Sequence, residues 1–74
     1  MREIKLFDSV ALLEDLPEEN LCRGQVGAVV EIYNNGEMFE VEFINNNGKT
    51  YGLLALHSEQ LMLLQHASNE KITA

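Results

Sequence analysis

Residues 37–43, Glu-Met-Phe-Glu-Val-Glu-Phe, alternate. Phe39, Val41 and Phe43 point one way and Glu40 and Glu42 the other, which predicts a half-buried antiparallel strand. Upstream, "QVGAVVEIY" (25–33) is rich in β-branched residues and reads as a strand, with Gly27 marking a bulge or sharp bend. Between the two, Asn34-Asn35-Gly36 tolerates positive φ and turns the chain back. "NNNG" (45–48) predicts a second hairpin turn, and "KTYGLLAL" (49–56) the next strand, with Gly52 where the sheet bends. "SVALL" (9–13) fits a first strand. "LMLLQ" (61–65) reads as a last short strand, although its leucines also suit a helix.

The connections differ in kind. "EDLPEENLCRG" (14–24) carries Glu14, Asp15, Glu18 and Glu19, closes on Gly24, and contains Pro17, which holds Leu16 extended. It reads as a long exposed acidic loop with Leu16 and Leu21 tucked beneath it. "HSEQ" (57–60) is short and polar and predicts one tight helical turn capped by His57 or Ser58. "HASNEKITA" (66–74) reads as a flexible tail.

Short strands, Asn-Gly turns and bending glycines are what a small closed barrel requires. The expected fold is all-β: an SH3-like barrel of about five antiparallel strands over residues 1–65, with a long first loop and a 3-10 turn before the last strand.

Composition narrows the setting. The chain has 74 residues, 46% of them hydrophobic, enough for one small packed core. A single cysteine, Cys22, excludes an internal disulfide and points to a reducing cytoplasm. The N-terminal residues do not resemble a signal peptide, and no apolar run approaches a membrane span, so a soluble chain, complete as written, is expected. A formal net charge of -7 repels nucleic acid phosphates and anionic membranes and favours solubility or a basic protein partner.

Candidate chemistry is sparse. Cys22, His57 and His66 are the only nucleophile and imidazole candidates, and their spacing offers neither an orienting third group nor an oxyanion pocket. They read as a semi-buried thiol and two surface histidines. The acids of 14–19 lack the alternation of a calcium loop, and no P-loop, dinucleotide fingerprint or zinc spacing is present. No catalytic residue, metal or cofactor is expected. With no Trp, and with Phe7, Tyr33 and Tyr51 read mostly as core, a proline-motif groove is not expected either.

The segment from Asp8 to Tyr33, followed by Glu40-Val41-Glu42-Phe43 and Gly48, resembles a family of short bacterial proteins, frequent in cyanobacteria and catalogued as a domain of unknown function. The likeness spans about Phe7 to Leu64 and rests on the joint spacing of Leu16-Pro17-Glu18, Gly24-x-x-Gly27 and Glu40-Val41-Glu42-Phe43. Ala28 stands where Thr is usual. The resemblance implies an SH3-like barrel and no activity. "GQVGAVVEI" is also similar to KOW-type barrels, which face RNA, but only Arg23 and Lys49 lie in the barrel body here.

The expectation is therefore a small acidic protein-interaction module and not an enzyme. It would act as an antitoxin-like or immunity-like protein, or as an accessory subunit, on a basic partner. Asp15, Glu18, Glu19, Glu40 and Glu42 would form the acidic surface, with Leu16 and Tyr33 as apolar anchors. A nucleic-acid-associated KOW-like barrel is the alternative.

Overall fold

The computed structural model describes residues 3–44 and 50–67. Five strands form one antiparallel sheet: β1 (Ser9–Leu12), β2 (Val26–Tyr33), β3 (Met38–Ile44), β4 (Thr50–His57) and β5 (Leu61–Gln65). The order across the sheet is β4-β3-β2-β1-β5. The fold is all-β, as the sequence predicts; its only helical pieces are 3-10 turns, among the described residues. The second predicted hairpin turn, 45–48, lies outside the described residues.

One face of the sheet is the core. Val10 and Leu12 of β1, Val29 of β2, Phe39, Val41 and Phe43 of β3, Leu56 of β4 and Leu61 of β5 are buried there together with Leu21 from the long loop. The predicted alternation of 37–43 is observed, and Glu40 and Glu42 take the opposite face.

Gly27 does not mark a bulge. Its register runs unbroken through Gly27↔Phe43, Ala28↔Glu42 and Val29↔Val41. A Cβ there would stand 2.8 Å from the Glu42 carbonyl oxygen and 2.9 Å from Phe43 Cδ1, so the glycine lets β3 and its aromatic ring close in. The irregularity falls at Val30, between Val29↔Val41 and Glu31↔Glu40. The extra residue reverses the facing of the rest of β2: Glu31 is carried to the outer face and Ile32 packs against the core. A further register shift between Phe43 and Ile44 sits beside Gly52, where the sheet was expected to bend.

The turn between β2 and β3 depends on positive φ at three consecutive residues, Asn34 (53°), Asn35 (59°) and Gly36 (100°), which Asn and Gly accept at low cost. The long first loop is folded back on itself. Leu16 and Leu21 exchange backbone hydrogen bonds of 2.9 and 3.1 Å around the 3-10 turn Pro17–Glu19. The turn before β5 spans Ser58–Gln60; His57 takes its N-cap position, and its N–H donates to Gln60 Oε1 at 2.8 Å. No helix among the described residues is long and apolar enough to cross a membrane.

Candidate functional site

The outer face of the sheet collects the chemistry. Glu31 stands directly across from Glu40, which in turn faces Ala55. Two positions along β3, Glu42 lies between Ala28 and Leu53 on the same face. Like charges placed opposite each other in a sheet are destabilising. At the end of this stripe the Tyr33 hydroxyl donates to Glu40 Oε1 at 3.0 Å. That bond, with lesser contributions from desolvation and from the charges of Glu40 and Glu31, holds the Tyr33 phenol above its ordinary pKa. Tyr33 is exposed and does not belong to the core.

Next to the carboxylates runs an apolar row. Ala11 pairs with Val26 on one side and Met62 on the other. The two flanking side chains cover Ala11 but are themselves 52% and 48% exposed. Ile44 follows Phe43, the partner of Gly27, and so lies alongside Val26; it too is exposed. Leu53, opposite Glu42, is the most exposed of the strand leucines at 56%. Exposed apolar side chains gathered on one face mark contact surfaces more often than scattered ones do.

The loop acids are not part of this stripe. Leu21 lies in the core, its Cδ1 within reach of the Gly52 position, so the loop folds over the core face while Glu31, Glu40 and Glu42 point away from it. Within the loop, Asp15 Oδ1 accepts the Arg23 N–H at 2.8 Å and closes the loop base. Leu16 is half-buried against the core. Glu18 and Glu19 are exposed in the first turn of the 3-10 segment.

Sequence reasoning missed Asp8 as a structural centre. Its side chain is 2% exposed. Oδ2 accepts the Lys5 N–H at 2.7 Å and meets His66 Nδ1 at 2.8 Å, and Oδ1 accepts the Ala67 N–H at 2.9 Å. Burial alone pushes the Asp8 carboxyl up. The N–H groups of Ala67 and Lys5 and the His66 ring outweigh it and hold the pKa below its ordinary value. His66 and Ala67 are thus fastened to the start of β1 and are not a free tail or a plain surface histidine; residues 68–74 lie outside the described residues. The Asp8 N–H also donates to the Lys5 carbonyl at 3.1 Å, closing a turn in which Phe7 has φ 69°. Phe7 is 60% exposed, again not core. The Tyr51 side chain lies outside the described residues. A single buried carboxyl with a backbone role carries no pattern by which spacing would find it.

Other chemistry is thin. Cys22 is exposed, not semi-buried. Among the described residues no group of three or more His, Cys, Asp and Glu side chains is placed to hold a metal ion. A cleft of about 690 Å³ has apolar walls from Ile4, Phe39, Leu61 and Leu63, with Glu3, Ser58 and Glu59 also lining it; among the described residues no cysteine or histidine lines it.

Residues 6–63 match the family model described as Domain of unknown function (DUF4926), and the chain belongs to this family. No curated protein and no solved structure matches the chain.

Proposed function

We propose that this member of the family is a cytoplasmic SH3-like barrel that works as an acidic protein-interaction module, docking a basic partner on the outer face of its sheet. The observation that carries the reading is the placement of Glu31 directly across from Glu40, with Glu42 next on the same face. The bulge at Val30 is what brings Glu31 there. A pairing that costs the free protein stability becomes favourable once a cation lies between the carboxylates. Exposed Val26, Ile44, Leu53 and Met62 beside the charges supply the apolar area that gives an interface affinity.

Tyr33, Glu40 and Glu42 form the centre of the surface, with Glu31 added to them. Glu18 and Glu19, on the other side, add to the net charge of -7 that steers a cationic partner at a distance. Asp15 and Leu16 act through the loop's own closure. The chain order, with the last strand paired beside the first and a 3-10 turn before it, supports the barrel reading.

The test is capture of a partner from the source cell's lysate by the tagged protein, at low and at physiological salt, beside a Glu31→Gln/Glu40→Gln variant. The expected result is one basic protein, held in stoichiometric amount by the parent chain, weakened by salt and lost by the variant. A partner held equally by the variant at physiological salt overturns the reading.

A further inference from the structure

We infer that the outer edge of β4 accepts an added strand from the partner, and that this strand sets a lysine or arginine beside Ala55 and an apolar residue beside Leu53. The inference rests on the acidic-face reading above and specifies its partner.

β4 ends the sheet, with β3 as its one strand neighbour among the described residues. An edge strand presents a row of backbone donors and acceptors to any other chain, and proteins blunt such edges with Lys, Pro, inward charges or very short strands. β4 has none of these. It is 8 residues long, Thr-Tyr-Gly-Leu-Leu-Ala-Leu-His, without a Lys, Arg, Asp, Glu or Pro. The irregularity in its pairing touches only its first residues, and Gly52–His57 stays in unbroken register with β3.

The side chains flanking that edge define what fits. On the outer face an added strand lies beside Leu53 and Ala55, both exposed. Ala55 is paired with Glu40, so Glu40 stands two strand spacings, about 10 Å, from the added backbone. The Ala55 methyl is too short to block the way. A long cationic side chain crosses it and meets the Glu40 carboxylate, whose other flank is held by Tyr33. Leu53 offers the next outer contact to an apolar residue. On the inner face the added strand borders Leu54, half-buried, and Leu56, buried, and so takes apolar residues at the alternate positions.

A second copy of this chain is the poorer occupant. Its own β4 brings no cation to Glu40, and it adds another net charge of -7. Charge complementarity selects a different, basic chain, joined by strand addition.

The probe is an end-capped peptide of alternating valine and lysine, the length of β4, titrated into the full chain and followed by amide NMR shifts. Two comparison peptides are the same sequence N-methylated at every peptide nitrogen, which keeps the charge and removes the donors, and a valine–glutamate version. Saturable binding with the largest shifts along Leu53–Leu56 is expected, weakened at least about tenfold by N-methylation and by Ala55→Lys, and absent for the glutamate peptide. Equal binding of the N-methylated peptide, or no effect of Ala55→Lys, overturns strand addition at this edge. No binding of the parent peptide overturns it as well, as does concentration-dependent dimerisation through β4 without peptide, which names the second copy as occupant. Failure of the acidic-face reading is seen separately: Glu40→Gln then leaves binding unchanged while N-methylation still abolishes it.

Discussion

Asp8 Oδ2 and His66 Nδ1 lie 2.8 Å apart although 58 positions separate the two residues in the chain. The contact joins the turn before the first strand to the segment after the last. Because β1 and β5 are paired neighbours, the same carboxyl can also take the N–H groups of Lys5 and Ala67. Replacing Asp8 with Ala leaves those two donors without their acceptor near a buried position. The expected loss is about 2–3 kcal/mol of folding stability, read from urea unfolding midpoints. A loss within a few tenths would show that the ends are not joined in solution.

The same carboxyl sets an acid dependence. Its folded-state pKa lies below the ordinary value. Its ionised form therefore contributes stability that is fully present above the unfolded carboxylate pKa and is lost as pH falls through the lower folded value, a window that lies below the ordinary aspartate range. The difference in urea midpoint between the parent chain and Asp8→Asn is expected to shrink across that window. A difference that stays constant with pH would contradict the hydrogen-bonded, ionised Asp8.

Glu31→Gln removes one of two carboxylates that face each other and is expected to raise stability by roughly 0.2–1 kcal/mol at low salt. Salt shortens the reach of the repulsion, so the gain shrinks at high ionic strength. Thermal unfolding of both chains at low and high salt measures it. A destabilised variant would mean that Glu31 and Glu40 do not face each other.

Tyr33 donates to Glu40, which favours the neutral phenol. Ultraviolet titration is expected to show one of the two tyrosines ionising above the ordinary pH. Tyr33→Phe removes that step, and Glu40→Gln moves it back towards the ordinary range. Because the phenol's pKa is raised, its bond stabilises the fold below the unfolded pKa and is lost as pH rises through the folded value. An unshifted Tyr33 would refute the contact.

Gly27→Ala sets a Cβ at 2.8 Å from the Glu42 carbonyl and from Val41 Cγ1. A backbone oxygen in a paired strand cannot move aside, so β2 and β3 must part. The expected cost is about 1–3 kcal/mol by urea denaturation. Gly52→Ala, whose nearest contacts are at 3.8 Å, serves as the control and is expected to cost less.

The amino-acid order determined what is local. Alternation fixed the inward face of β3, because a strand's side chains reverse at every residue. The Asn34-Asn35-Gly36 turn was legible because few other residues accept positive φ at low cost. The acidic loop, the tight turn before β5 and the two anchoring leucines could be read from Pro17, from short polar linkers and from isolated apolar residues among charges. The family likeness was legible in the spacing of its motifs.

What depends on neighbours distant in sequence was decided by the fold. The bulge at Val30 turned Glu31 outwards, and no periodicity in β2 announced it, because the extra residue exists only relative to β3. Gly27 reads alone as a bend and is in fact a clearance for Phe43. The acidic loop and the acidic stripe, adjacent in expectation, were set on different faces once Leu21 entered the core. Asp8 drew its partners from both ends of the chain. Sequence sets which residues can pair; only the register and the packing of strands decide which do.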